Sequence, residues 1–462
     1  MQVNQTFIKI KNQNPEETYL KIAGENTYLL ESIEGDEKKA RYSFIGFNPL
    51  TKIKIKNGKT QIKNYTKKFT LKEEGREPLN LIKNIVTKHP QTGPTLSRFA
   101  GGFVGYLSYD LIRYFTHLPN KKDTLKQPDA EICLTKNNII FDHLMREAYL
   151  VENHFTDSQD IDVEKSLRRL EEIAQTLTGQ TTCDETRAEG FESNTTKKEY
   201  MNSVKQIKNH IREGDTFQTV LSQRLSTEYS GDKFAAYLKL KQINPSPYMY
   251  YLDFGDRKIV GSSPETLARV ENQKIFTYPI AGTRKRGENK KQEALMEREL
   301  TSDPKEKAEH TMLVDLGRND VGRVSSYGSV SVTKYMELEK YSHVMHLSSE
   351  VEGRLKPGLD EYDALKSIFP AGTVSGAPKV RSMQIIDEVE PDRRGIYAGC
   401  IGYFSFNRTL DTAIAIRTIT FEKNKAYVQA GAGVVADSKP ELEYKETLNK
   451  GQALLKTLGV RS

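Results

Sequence analysis

Two acidic stretches space their side chains for joint work. In "SKPELEYKETLNKG", 438–451, Glu443, Glu446 and Lys450 stand at i, i+3 and i+7, on one face of a helix. Ser438 and Glu441 read as a capping box there, with Pro440 in the first turn. In "TSDPKEKAEHTMLVDLGRND", Asp303 reads as an N-cap and Pro304 as N1, and Glu306 and Glu309 are again three apart. A capping box alone would account for Glu306, and a solvated Glu–Lys pair for Glu446 and Lys450. The sharper reading is that the two helices converge on one hard cation. Mg²⁺ takes oxygen ligands and keeps several waters, so one direct carboxylate from each helix suffices. Lys450 would relieve the repulsion among four carboxylates.

Other stretches offer weaker signals. "AGAGVV", 430–435, contains Gly431, Ala432 and Gly433. It reads either as a tight turn or as backbone N–H groups brought close to an anion. "FPAGTVSGAPK", 369–379, is a Gly/Ser/Thr loop that lacks the Walker pattern. "HVMHLSSEVEG" holds His343 and His346, either packed histidines or general acid–base groups. No GxSxG or cysteine nucleophile motif is present, so acyl transfer has no support. Cys133, Cys183 and Cys400 are too scattered for structural zinc or a disulfide framework and suit a reducing cytosol.

These residues need a scaffold, and the patterning supplies one. Before residue 155, "FIKIKN", "TKIKIKNGKTQIKNYTKKFTL" and "EICLTKNNIIFDHLMREAYLVE" read as short strands around Asn-Gly and Lys-Asn turns. "DIDVEKSLRRLEEIAQTL" is an amphipathic helix, and the polar "TGQTTCDETRAEGFESNTT" after it reads as a linker. This divides the chain into 1–155, 156–196 and 197–462. In the last part, a helix ending near Gly214 precedes strand-like runs, and "TAIAIRTITFEKNKAYVQAGAGVV" reads as a hairpin around "EKNK". Helices and strands do not alternate regularly, which predicts an α+β fold with antiparallel sheets. The net charge of +7 is spread over 462 residues, so a nucleic-acid module has little support. No leader and no long apolar span is visible, and a cytoplasmic protein with no membrane partner is expected.

Read in order, "FQTVLSQR", "GSSPETLARV", "PIAGTRKRG", "DPKEKAEHTMLVDLGRNDVGRV", "HVMHLSSEVEGRL", "FPAGTVSGAPKVRSMQIIDEVEP", "RRGIYAGCIGYFSF", "TAIAIRT" and "AGAGVVADSKPELEYKET" resemble the chorismate-utilising enzyme family over most of 197–458. The resemblance implies two packed antiparallel β-sheets wrapped by helices, with Mg²⁺ bound beside chorismate. It implies Glu309 and Glu446 as direct metal ligands, with Glu306 and Glu443 in support through water. Arg417, Gly431, Ala432, Gly433 and Lys450 would anchor the substrate's carboxylates, with Tyr397 nearby and Gly282, Thr283 and Thr373 lining the same pocket. Glu265 would be the general acid for the departing 4-hydroxyl, and His346 would assist aromatisation.

Three features narrow the branch of the family. Gln218 stands where water-using members place a lysine, and "PIAGT" puts Ala281 where some aminodeoxychorismate-forming members carry a nucleophilic lysine. Ammonia attack at C2, giving anthranilate and pyruvate, then remains. "YLLESIEG", "ARYSFIG" and "NPSPYMYYLDFG" resemble the anthranilate-forming branch. There Glu31, Ser32, Pro247, Tyr248 and Met249 would form a site for the inhibitor L-tryptophan. The chain ends just past the last motif, so a separate glutamine amidotransferase subunit, and thus a hetero-oligomer, is expected. The rivals are a 4-amino-4-deoxychorismate synthase, an isochorismate or salicylate synthase, and a non-catalytic tryptophan-binding sensor.

Overall fold

The computed structural model describes residues 2–33, 41–67, 69–72, 75–93, 95–99, 101–119, 121–156, 161–177, 187–341 and 344–460. Its strands form one continuous 21-stranded network, and every pairing between them is antiparallel. The expected hairpins are present. Asn57 (φ 49°) and Gly58 (φ 72°) turn the chain so that Lys56 pairs with Lys59. This left-handed pair matches the twist of the flanking strands. Glu422 pairs with Lys425 across the second hairpin.

Two expectations change. The Lys-Asn turn within "LTKNNII" does not form. Ala130–Asp142 runs straight through it, because buried Asn138 donates to Tyr28 Oη at 2.6 Å and so has a partner inside the sheet. The expected linker also contains a strand, Arg187–Ser193, which pairs with Gln218–Ser230. Its alternation was too polar to separate from loop composition. Cys183 lies outside the described residues, and Cys133 and Cys400 are buried free thiols.

Successive residues of one strand enter different cores, as side-chain alternation requires. Tyr28, Phe44, Ile140, Val151, Tyr250 and Ile401 belong to a cluster that contains no helical residue. This is the layer where sheet packs on sheet. Their neighbours Leu29, Ile45, Ile139, Leu150 and Tyr251 face a second cluster, roofed by helical Tyr19, Leu170, Tyr237 and Leu454. A third cluster seats Leu79, Ile82, Leu365 and Met383 over Phe103, Ile132 and Cys400.

Strands from the two ends of the chain share ladders. Thr27–Glu31 lies between Tyr42–Lys56 and Tyr248–Asp253, and Gly102–Leu107 pairs with Cys400–Ser405. No helix among the described residues is long and apolar enough to cross a membrane. Leu252, 1 % exposed, belongs to the inner sheet-on-sheet layer. Its replacement by alanine is expected to cost about 2–5 kcal/mol in urea unfolding, whereas Leu144→Ala, on an exposed turn, should stay within about 0.5 kcal/mol.

Candidate active site

A cavity of about 1820 Å³, partly open to solvent, gathers most of the residues named from the sequence. Its floor is the antiparallel pair of Lys425–Val434 and Gln218–Ser230. "AGAGVV" is therefore strand rather than turn. Gly431 lies opposite Ser222 and Gly433 opposite Val220. Both partners spend backbone groups elsewhere: Ser222 N donates to Glu390 Oε1 at 2.8 Å, and Val220 N donates to the Ser375 carbonyl at 2.9 Å. These are thus non-hydrogen-bonded pairs of the ladder. The amides of Gly431 and Gly433 point away from Gln218–Ser230, as the anchoring role requires. A side chain is excluded at both. A Cβ would lie 2.7 Å from Tyr397 Oη at position 431 and 2.4 Å from Gln218 Nε2 at position 433. Ala432 is a correction: it is fully buried, on the opposite face of the strand, and does not line the cavity.

The acidic helix Pro304–Val324 starts as expected, with Asp303 Oδ1 accepting from the amides of Lys305 and Glu306. The Glu306 carboxylate takes no part in the cap and instead accepts from Arg284 Nη1 at 3.0 Å. Glu309 Oε1 accepts from Gln218 Nε2 at 3.3 Å. The C-terminal helix Pro440–Leu458 starts differently from expectation: Lys439 is its N-cap and no side chain caps it. The Ser438 hydroxyl is already taken, because it accepts from the Val435 amide at 3.0 Å and bonds Glu443. Thr447, Gly451 and Leu455 bury the back of this helix. Glu443, Glu446 and Lys450 are then left on the cavity. Lys450 Nζ bridges Glu446 Oε1 at 2.7 Å and the Gly431 carbonyl at 3.1 Å.

Burial and the nearby Glu446 push the Glu443 carboxyl up, against Ser438, Lys305 and Lys450, which pull it down. Lys305 was missed from the sequence. It lines the cavity one helical turn before Glu309, and that spacing was the available signal. The four glutamates do not close into a tight cage. Among the described residues the only three acidic or histidine ligand atoms within 4.8 Å of one another belong to His210, Glu213 and Asp215, where Arg381 already pairs with Asp215. An all-oxygen set spread over two helices fits a magnesium ion that keeps part of its water shell.

The opposite wall holds the titratable groups. Glu265 is 7 % exposed, and burial pushes its carboxyl up to about 8. Thr373 Oγ1, donating at 3.1 and 3.2 Å, and the Arg417 charge only partly oppose this. The group is protonated at neutral pH and suited to giving up a proton. His346 is 3 % exposed and held down to about 4, by burial first and by Arg417 as well. Its Nδ1 lies 2.8 Å from the Gly282 carbonyl. A carbonyl only accepts, so Nδ1 carries the proton and Nε2 the lone pair.

Gly282 (φ 66°) sits in a bulge of Ile280–Lys285. A Cβ there would meet Leu300 Cδ1 at 2.6 Å and Glu306 Oε2 at 2.9 Å. The side chain of Thr283, in the same bulge, and the whole of His343 lie outside the described residues. Arg417 (φ 49°) lines the cavity with one hydrogen bond, to Asn244 Oδ1 at 3.3 Å, and no carboxylate within ion-pair distance among the described residues. Burial pulls its guanidinium down. Such a cation favours an anionic ligand.

A second, narrower cavity, open to solvent on one side, is lined by Glu31, Ser32, Pro247, Tyr248 and Met249 together with Tyr42, Phe44 and Tyr403. The two segments meet because their strands pair, Met249 opposite Glu31. Ser32 Oγ donates to the Pro247 carbonyl at 2.8 Å. Glu31 is buried, held by Tyr237 Oη and by Lys241 Nζ at 3.0 Å. Tyr248 Oη bonds Thr266, the residue after Glu265, at 2.8 Å.

Comparisons with known proteins relate nearly the whole chain to one family and fold. A family model described as chorismate binding enzyme matches residues 25–456. The anthranilate synthase component 1 of Acetivibrio thermocellus is 47 % identical, over 93 % of this chain and 90 % of that protein. The solved anthranilate synthase component I of Streptococcus pneumoniae superposes with a TM-score of 0.81 at 38 % identity, covering 96 % of this chain and 97 % of that one. The menaquinone-specific isochorismate synthase of Escherichia coli, at 18 % identity, shares the fold with a TM-score of 0.75, covering 99 % of this chain and 94 % of its own.

The wall electrostatics are open to titration. Imidazole-tuned ¹⁵N NMR should show His346 as the neutral Nδ1–H tautomer until the pH falls to about 4. A protonation midpoint near the ordinary 6.5 would refute the desolvated environment.

Proposed function

The chain belongs to the chorismate-binding enzyme family, and on that premise we propose that it is a cytosolic enzyme converting chorismate and ammonia to anthranilate, pyruvate and water. The observation that carries this choice within the family is the cavity wall at Gln218 and Ala281. The Gln218 amide donates to Glu309 and is not a base for water, and Ala281 has no nucleophilic atom. Neither residue competes with ammonia for chorismate C2.

Each polar group has a task in this reaction. Arg417 and the amides of Gly431 and Gly433 hold the substrate's carboxylates, and Lys450 completes the positive side of the pocket. Glu309 and Glu446 would hold a magnesium ion directly, with Glu306 and Glu443 behind water. That ion, when bound, supplies positive charge to the ring carboxylate. Ammonia bonds to C2 as the C4–O bond breaks, and the Glu265 proton leaves with the 4-hydroxyl as water. Thr373 keeps the resulting carboxylate stable by donating its one hydroxyl proton between the two oxygens. The amino intermediate then loses its C2 proton and its enolpyruvyl C–O bond together, with His346 assisting this aromatisation, and the released enolpyruvate takes up a proton to become pyruvate. A separate glutamine amidotransferase supplies the ammonia.

The second cavity is the site of L-tryptophan, which makes the reaction the feedback-controlled first step toward that amino acid. Its aromatic lining suits an indole, while the Met249 side chain packs in the helix-roofed core behind it, and Glu31 and Ser32 offer polar partners to the ligand. The Tyr248–Thr266 bond gives ligand there a physical route to Glu265.

The test is a fluorescence assay with chorismate, magnesium and an ammonium salt, with and without L-tryptophan. Anthranilate formation, suppressed by tryptophan, is expected. A para-aminobenzoate precursor instead would move the chain to the folate-forming branch. Glu309→Gln and Glu446→Gln should each abolish turnover and weaken magnesium binding in calorimetry. Near-normal rates at low magnesium would overturn the metal assignment. Gln218→Lys should introduce a water-derived product.

A further inference from the structure

Behind the cavity floor lies a buried ion pair that none of these roles uses. Arg394 and Glu390 are 2 % and 3 % exposed and meet at 2.6 Å. Four of the five guanidinium hydrogens are engaged. Nε and Nη2 donate to Glu390, Nη2 also donates to the Val220 carbonyl at 2.7 Å, and Nη1 donates to the Val374 carbonyl at 2.6 Å. Glu390 Oε1 accepts from both the amide and the hydroxyl of Ser222 at 2.8 Å. Ser222 Oγ in turn accepts from Gln429, which lines the cavity. The guanidinium also lies over the rings of Tyr109 and Tyr397, 4.8 and 5.6 Å from their centroids.

The pair occupies a gap in the sheet. The edge of Gln218–Ser230 away from the glycines is paired at Gln218 and Thr219 by Gly376–Ala377, and from Leu225 onward by Arg187–Ser193. Between these, no strand among the described residues covers the edge. The exposed backbone groups go to Ser375, Arg394, Glu390 and Asn194 instead. Buried backbone groups left without partners are costly, so the two side chains act as the missing strand.

We propose that Arg394 and Glu390 are positioning residues of the active site, fixing the glycine-bearing floor and, through the Val374 carbonyl, setting Thr373 against Glu265. An arginine is required because three acceptors in different directions are met by one rigid fork. A lysine ammonium on a shorter reach cannot meet Glu390, Val220 and Val374 together. The inference rests on Glu265 being the proton donor. Arg417 is the charged group that faces Glu265, and His346 lines the same cavity.

The test is the pH profile of kcat for Arg394→Lys, Glu390→Gln and Thr373→Val, at a fixed concentration of unprotonated ammonia. Thr373 favours the charged form of Glu265, so loosening it raises the pH at which the proton is lost. The alkaline limb should move upward by about half a unit or more in all three variants. Arg394→Lys combined with Thr373→Val should move it no further than Thr373→Val alone, and Arg394→Lys should raise KM for chorismate more than Thr373→Val does. An inactive wild type would refute the reaction itself. Active, folded variants whose limb stays in place would refute only the positioning role. Failure of both Arg394→Lys and Glu390→Gln to fold would assign the pair to core stability and overturn the proposal as well.

Discussion

An antiparallel strand must give its two faces, and its two edges, to different partners, and the architecture of this protein follows from where each strand spends them. Tyr28 and Leu29, adjacent in sequence, stand in different cores. The same alternation operates at the active site on hydrogen-bonding groups. Ala432 faces away, while Gly431 and Gly433 face the cavity with amides not used by the neighbouring strand. The ladder thus builds an anion-binding surface from main chain, with the glycines there because a side chain would collide with Tyr397 or Gln218.

On that floor the chemistry is set by desolvation more than by ion pairing. Glu265 is kept protonated, His346 is kept neutral, and Arg417 faces them with a single weak hydrogen bond. On the other side of the same cavity Arg284, Lys305 and Lys450 attend the glutamates. One wall is nearly neutral apart from Arg417, and the other sets four carboxylates against three cations. A substrate with two carboxylates and a departing hydroxyl can be oriented by that asymmetry before any bond changes.

Much of this was legible in the sequence because it is local. The Asp303–Pro304 helix start, the Asn57–Gly58 turn and the i, i+3 glutamates are set by neighbours within four residues, and they stand as read. The convergence of Glu265, Thr373 and Arg417 is not local, and only the family resemblance named them together. Reading failed where a polar residue had a distant partner. Ser438 serves Val435 and Glu443 rather than a cap, and Asn138 is buried against Tyr28 rather than exposed in a turn. Arg394 and Glu390 fall in stretches that resemble the family, but no feature of the sequence assigned them a role. A gap in a sheet edge is a property of the assembled topology, and "EPDRR" looks like any charged loop.

Thr27–Glu31 joins the front of the chain to Tyr248–Asp253 by main-chain amides rather than by a side-chain interface. Side-chain contacts can be lost and regained one at a time, whereas a ladder shifted by one residue turns every side chain over. The smaller cavity against Glu31 and Met249 therefore belongs to neither half. A fragment carrying one half would inherit a bare strand edge rather than a simpler enzyme. Descendants of this chain can change what that cavity accepts only through the side chains that line it, and so their specificity can drift while their architecture stays fixed.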